Sequence, residues 1–261
     1  MRVTRVSRQQ RQEPSGNNSL AFLAAYHSIL PYYPFAKIRE IALSTSSPIV
    51  IIGAGGHAKV VIELLRASGS FQIAGLIDRD AAGSPILGLS ILGTDADLPR
   101  LRREGIRNAF VGIGDNLRRV QVGRHVRQIG FEMVNAISPA AVVSDSARLG
   151  CGIAVMAGAV INAEARIDDF CVINTCASID HDCWIAEGAH VAVGCSIAGS
   201  VKIGRLAFVG AGATVIPGIS IGENALIGAG ACVVRDIPDG ARAWGVPAEI
   251  RSIGVKTSRA E

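Results

Sequence analysis

The chain has 261 residues, 49% of them hydrophobic, enough to bury a sizeable core and to exclude global disorder. Aromatic residues make up only 5% and charged residues 18%, while there are 30 glycines. The interior must therefore pack small and β-branched side chains, which disfavours a helical bundle, and the glycine content falls far short of the roughly one-third that collagen requires. The net charge of +4 resides in residues 1–47, where Arg2, Arg5, Arg8, Arg11, Lys37 and Arg39 face only Glu13 and Glu40. Residues 48–261 are neutral, so the main body offers no basic field to nucleic acid.

Residues 1–47 read as an N-terminal extension, partly disordered, with arginines spaced by three as a solvated tail and a short apolar patch at Ser19–Ser28. No run reaches the ~18 apolar residues of a membrane span. No continuous apolar region follows the basic start, as a secretory signal requires. Cys151, Cys171, Cys176, Cys183, Cys195 and Cys232 include no CxxC pair, so no metal is expected, and reduced thiols in a cytoplasmic chain fit better than disulfides.

The stretch 48–138 alternates strand and helix patterns. Ser47–Gly53 is an apolar β-branched run of the buried parallel type, followed by a Gly-rich turn and the helical pattern Val60, Val61, Leu64, Leu65. Phe71–Ile77 predicts a second strand ending at Asp78, and Ile91–Gly93 a third short one. Thr94 is placed to cap a helix over Asp95–Glu104; Ala109–Ile113, Leu117–Ile129 and Phe131–Ile137 predict strand, helix and fifth strand. This is a small parallel α/β domain. The pattern GxGxxA over Gly53–Ala58 lies between strand and helix, where glycines admit a ligand and the helix N-terminus favours phosphate. Asp78 is positioned for a ribose or sugar hydroxyl. A dinucleotide would need a second mononucleotide half, which the chain lacks; a nucleotide-sugar is the better size match, and a turn without ligand is the plain alternative.

From Val143 every sixth residue through Val233 is Ile, Leu or Val, sixteen in succession. Four residues after most anchors the side chain is small, as at Ala159, Cys171, Ala177, Cys183, Ala189 and Cys195. Gly often follows the anchor directly, as at Gly150, Gly204, Gly210, Gly222 and Gly228, and reads as relief of crowding at turns. A six-residue period fits neither a helix nor a long strand. It fits three short strands per 18-residue coil, each aliphatic residue stacking inward on its equivalent one coil away. Residues 139–238 thus predict a left-handed parallel β-helix of about five coils, the exception to right-handed crossovers, with a C-terminal cap and tail over 239–261. Such prisms associate side by side as trimers, and the clefts between them are natural binding sites.

Asp180-His181-Asp182 is the densest polar cluster in the repeat. His181 falls on an outward position of its hexad and suits a general base, with Asp182, and also Asp180, available to orient the ring. An inert exposed histidine is the alternative.

The two halves resemble the sialic-acid O-acyltransferase-like (NeuD/PglD-type) family of nucleotide-sugar acetyltransferases with hexapeptide repeats. The resemblance rests on GAGGHAKVV at 53–61, LID at 76–78, GIGDNLRR at 112–119, INTCASIDHDCWI at 173–185, and VVRDIP with WGVPAEI within 233–250. One departure is Ser138-Pro139-Ala140, where many relatives carry His-Pro-Ser-Ala. The resemblance implies an acetyl-CoA-dependent N-acetyltransferase acting on the amino group of a UDP- or GDP-linked amino-deoxysugar. It implies His181 as base, Asp182 as its orienter and the Gly199 backbone N–H as oxyanion donor. His190, Gly199, Gly210, Ala211, Gly228 and Ala229 are then expected to bind acetyl-CoA along a seam shared by two subunits of a homotrimer. The nucleotide-sugar is expected at Gly55, Gly56 and His57, with Asp78 and Arg79 near the nucleotide and Gly114, Asn116 and Arg119 lining the mouth. Arg119 is alternatively an ordinary solvated helix residue. Competing readings are an O-acetyltransferase acting on sialic acid or another sugar hydroxyl, and a non-enzymatic nucleotide-sugar-binding or scaffold protein. A metal-dependent hydratase would need a third histidine on the prism.

Overall fold

A computed structural model describes residues 46–80 and 84–253. The arginine run and the apolar patch Ser19–Ser28 lie outside the described residues, as does the end of the C-terminal tail.

The first layer is a parallel sheet with strand order β3-β2-β1-β4-β5, formed by β1 (Ser47–Ile52), β2 (Phe71–Ile77), β3 (Ile91–Gly93), β4 (Asn108–Val111) and β5 (Glu132–Met133). Helix α1 (Gly56–Ser68) covers one side through Ala58, Val61, Ile62 and Leu65; α2 (Leu98–Arg103) and α3 (Asn116–Gln128) cover the other. The helix expected over Asp95–Glu104 begins instead as a 3-10 turn at Asp95–Asp97, because the Asp97 carboxylate accepts the Thr94 N–H at 2.9 Å and Pro99 sits in the first turn of α2. The Asp115 carboxylate caps α3 by accepting the Arg118 N–H at 2.8 Å.

The fifth strand predicted over Phe131–Ile137 is two strands. Glu132–Met133 ends the α/β sheet, whereas Ala136–Ile137 pairs with Ala154–Val155 and opens the β-helix. Phe131, Met133, Val134, Ala136 and Ile137 keep the segment largely apolar, so a linear reading joins the two strands, yet they serve different sheets.

The hexads form a triangular prism of two-residue strands. In each strand the second residue points inward, and Val155 through Val233 are essentially fully buried. The repeat is longer than the five coils expected: one face has strands from Ala136–Ile137 to Ala241–Trp244, closed by the antiparallel strand Glu249–Ile253. The other faces have six and five strands.

The outward first residues distinguish the faces. The covered face carries Ala136, Ala154, Val172, His190, Phe208 and Leu226, and its first coils pack beneath α1. The small-residue face carries Val142, Val160, Ser178, Ser196, Thr214 and Cys232. The charged face carries Arg148, Arg166, Trp184, Lys202 and Ser220.

From Gly152 to Gly230 each corner uses a residue in the left-handed region, including Asp182 (φ 59°) and Ser200 (φ 61°) between the small-residue and charged faces. The glycines directly after the anchors do a different job from the one expected. Gly204 and Gly210 do not have positive φ; a Cβ at either would stand 2.6 Å from a backbone nitrogen of the next coil, so they permit stacking rather than turning.

Helix α3 is fastened to the corner between the charged and covered faces. Its Gly123 lies where any Cβ would collide with the Phe170 ring, which explains a glycine in mid-helix. Arg127 pairs with Asp169 at 2.9 Å, and Glu187 accepts from Arg124 and Arg205 at 2.6 and 2.9 Å. Among the described residues no helix is long and apolar enough to cross a membrane.

Candidate active site

His181 lies on the corner that follows the strand Ser178–Ile179 of the small-residue face, with its side chain about half exposed. Its Nδ1 lies 2.8 Å from Asp182 Oδ2. A carboxylate only accepts, so Nδ1 carries the proton and Nε2 keeps its lone pair. The left-handed backbone at Asp182 accompanies this pairing of adjacent side chains. Asp180 accepts the His181 N–H at 2.8 Å and an Asn162 amide N–H at 3.0 Å. Those two donors hold its carboxyl below the usual range. The hydrogen bond to Asp182, then the charge of Asp180, raise the His181 pKa above its ordinary 6.5.

Gly199 is one coil above. A Cβ there would fall 2.6 Å from both Cε1 and Nε2 of His181, so the ring lies directly over the glycine. Among the described residues no acceptor takes the Gly199 N–H, although its carbonyl accepts from Gly218. The corner therefore offers a proton acceptor and an uncommitted backbone donor side by side.

A second concavity, about 440 Å³, opens at the carboxyl ends of the α/β strands. Gly55, Gly56 and His57 at the start of α1, Asp78 and Arg79 after β2, Asp95 after β3, and Gly114 after β4 all line it. Gly55 and Gly56 are exposed, and an added Cβ at either would meet nothing within 4 Å. The open helix start can thus face an anion. Asp78 Oδ2 accepts the Ala54 N–H at 2.8 Å, tying the glycine loop to the end of β2. Gly114 is shared with a neighbouring hollow that includes Asn116, Phe208 and Leu226 on the covered face.

Comparison with known proteins places the chain. Residues 48–126 match the PglD N-terminal domain, and residues 200–235 match the bacterial transferase hexapeptide (six repeats). The chain is 51% identical to PerB from Caulobacter crescentus, solved with CoA and GDP-perosamine; the match covers 79% of this chain and 98% of that one, with a TM-score of 0.76. This chain belongs to the hexapeptide-repeat nucleotide-sugar N-acetyltransferases. The acetyltransferase domain of PglB from Neisseria gonorrhoeae, solved with acetyl coenzyme A, is 36% identical, with 78% and 99% of the two chains covered and a TM-score of 0.75. An uncharacterized protein of Acanthamoeba polyphaga mimivirus is 34% identical over 130 residues, 50% of this chain but only 25% of that protein.

Within one copy of the acetyltransferase, the expected site residues form separate groups. His181, Asp182 and Gly199 share one corner. Gly210, Ala211, Gly228 and Ala229 lie on the corner between the covered and small-residue faces. His190 is on the covered face, which in a triangular prism lies across from the His181 corner. Its Nε2 is 3.1 Å from Asn174 Nδ2, and its ring lies 6.5 Å from that of His57 and edge-on to Phe208. Burial, reinforced by the Arg119 charge, lowers His57 to about 4 and His190 to about 3, so both are neutral near pH 7. His57 Nε2 and His190 Nδ1 are buried and have no partner among the described residues.

Arg119 does not line the mouth of the cleft, and it is not solvated either. It is 1% exposed. Its Nε donates to the Phe170 carbonyl at 2.8 Å, Nη1 to the Ile113 and Gly114 carbonyls, and Nη2 to the Gly188 carbonyl and Asn116 Oδ1, both at 2.9 Å. It joins α3 to two successive coils. Burial lowers its pKa to about 10, which leaves it charged. Asn116 shares this role by donating to the Leu206 and Ala207 carbonyls. Sequence reasoning missed Asn162, Asn174, Arg118 and Asp95. Asn162 was findable, since it precedes Asp180 by one 18-residue coil.

Proposed function

We propose that the protein transfers the acetyl group of acetyl-CoA to the amino group of a GDP-linked amino-deoxysugar, with His181 as general base. The observation that carries this reading is the His181 ring, held by Asp182 and stacked over Gly199, whose N–H is uncommitted. The neutral sugar amine attacks the thioester carbonyl. As the C–N bond forms, Nε2 takes the amine proton and Asp182 stabilises the imidazolium. The Gly199 N–H faces the developing oxyanion. Collapse of the tetrahedral adduct breaks the C–S bond, and the departing thiolate takes up a proton. The ligands of the Caulobacter and Neisseria relatives support acetyl-CoA as donor and a GDP-linked sugar as acceptor.

The faces support a homotrimer. The covered face is occupied by the chain's own α/β domain and the charged face suits solvent. The small-residue face is flat and uncharged, and it is bounded by the His181 corner on one edge and by the Gly210 and Gly228 corner on the other. Packing three small-residue faces about an axis brings the His181 corner of one copy to the second corner of the next. There Gly210, Ala211, Gly228 and Ala229 would hold the pantetheine and adenosine, and His190 would lie beside the thioester. Gly55, Gly56, His57, Asp78, Arg79 and Gly114 of that copy would then hold the nucleotide-sugar. A cytoplasmic location fits this reading, since acetyl-CoA and a nucleotide-sugar are both soluble intracellular substrates.

The test is to offer GDP-, UDP- and dTDP-linked amino sugars, and sugars with a hydroxyl in place of the amine, together with acetyl-CoA. The expected result is an N-acetylated GDP-sugar, identified by mass spectrometry and NMR. Acetylation confined to a hydroxyl, or no product from any acceptor, would overturn the reading.

A further inference from the structure

The nucleotide cleft has two chemically different ends. One is the glycine loop and the start of α1, which faces anions. The other lies at the ends of β2 and β3, between the 3-10 turn Asp95–Asp97 and α3, and is lined by Ile77, Asp78, Asp95, Arg118 and Val122. With the diphosphate at the α1 start and the sugar directed past Gly114 toward the prism, the ribose falls near the end of β2 and the base beyond it, toward β3. Among the described residues, two carboxylates line the cleft. Asp78 is engaged by the Ala54 N–H and by the Asp80 N–H at 3.3 Å. Asp95 is exposed, and its carboxylate has no partner among the described residues. Across the same end of the cleft lies Arg118, whose Nε has no hydrogen-bond acceptor among the described residues.

We infer that Asp95 reads the base and selects guanine. The inference rests on the nucleotide-sugar function proposed above. Guanine presents two adjacent donors, N1–H and the N2 amino group, which match the two acceptor oxygens of a carboxylate. Uracil presents a single N3–H flanked by two carbonyl oxygens, which a carboxylate repels. Hypoxanthine keeps N1–H and lacks the amino group, so it falls between the two. Neighbouring Asp97 is committed to the Thr94 N–H and to Arg100, and it does not line the cleft.

Calorimetric titration of GDP, IDP and UDP into the wild-type protein, Asp95→Asn and Asp97→Asn tests the inference. The wild type should bind in the order GDP, IDP, UDP. Asp95→Asn should weaken GDP by roughly 10- to 100-fold and nearly erase the preference over UDP. Asp97→Asn, which loosens the same turn, should keep the wild-type order; a shared loss of preference would assign the effect to the turn and overturn the role of Asp95. Equal binding of GDP and UDP by the wild type, or an unchanged preference in Asp95→Asn, would overturn it while the acetyltransferase reading stands. Failure of all three diphosphates to bind the wild type would sink both.

Discussion

A methyl group on Gly199 would reach within 2.6 Å of His181 Nε2. The backbone there is not left-handed, so Gly199→Ala strains no dihedral and acts only by displacing the ring. The expected outcome is a kcat lower by roughly 100-fold, with thermal unfolding nearly unchanged. The adjacent carboxylate makes a pH prediction. A general base works unprotonated, and Asp182 with Asp180 raises the His181 pKa above 6.5. The rate should therefore climb with pH through a midpoint above that value and be lost as pH falls below it. Asp182→Asn removes the largest cause of the shift, so a pH profile of kcat/KM should show the midpoint moving downward. His181 and its cluster were legible because three consecutive Asp and His residues stand together nowhere else in the repeat. The contact with Gly199 is legible only when the chain is read in steps of 18, since residue 199 stands one coil beyond 181.

At the scale of elements, the prism was plain in the sequence because each anchor is inward at a fixed period. The break between Met133 and Ala136 was not, because hydrophobicity says that a residue is buried but not in which sheet. The role of Arg119 was hidden for a different reason. Its partners are backbone carbonyls, among them those of Phe170 and Gly188, 51 and 69 residues away, and a carbonyl carries no residue-type signal. Removing this guanidinium leaves several buried acceptors unpaired. Arg119→Met should cost about 3 kcal/mol or more in urea unfolding. Arg119→Lys should recover little, because an ammonium cannot span the planar fork of acceptors.

For the whole molecule, one chain holds the His181 corner and the proposed nucleotide cleft on opposite sides of its prism, so the proposed site takes parts from two copies. Co-expression of His181→Asn with Gly55→Trp, which fills the cleft, should restore activity that neither variant has alone. An inactive mixture, with mixed trimers verified by mass, would contradict a shared site. The central claim is that His181 drives N-acetylation of a GDP-linked amino sugar. The most direct test is thiol release from acetyl-CoA with GDP-perosamine, comparing wild type and His181→Asn at equal assembly state. Steady turnover with N-acetylated product is expected in the wild type and a loss of roughly 100-fold or more in the variant; equal rates in the two proteins would exclude His181 as the base.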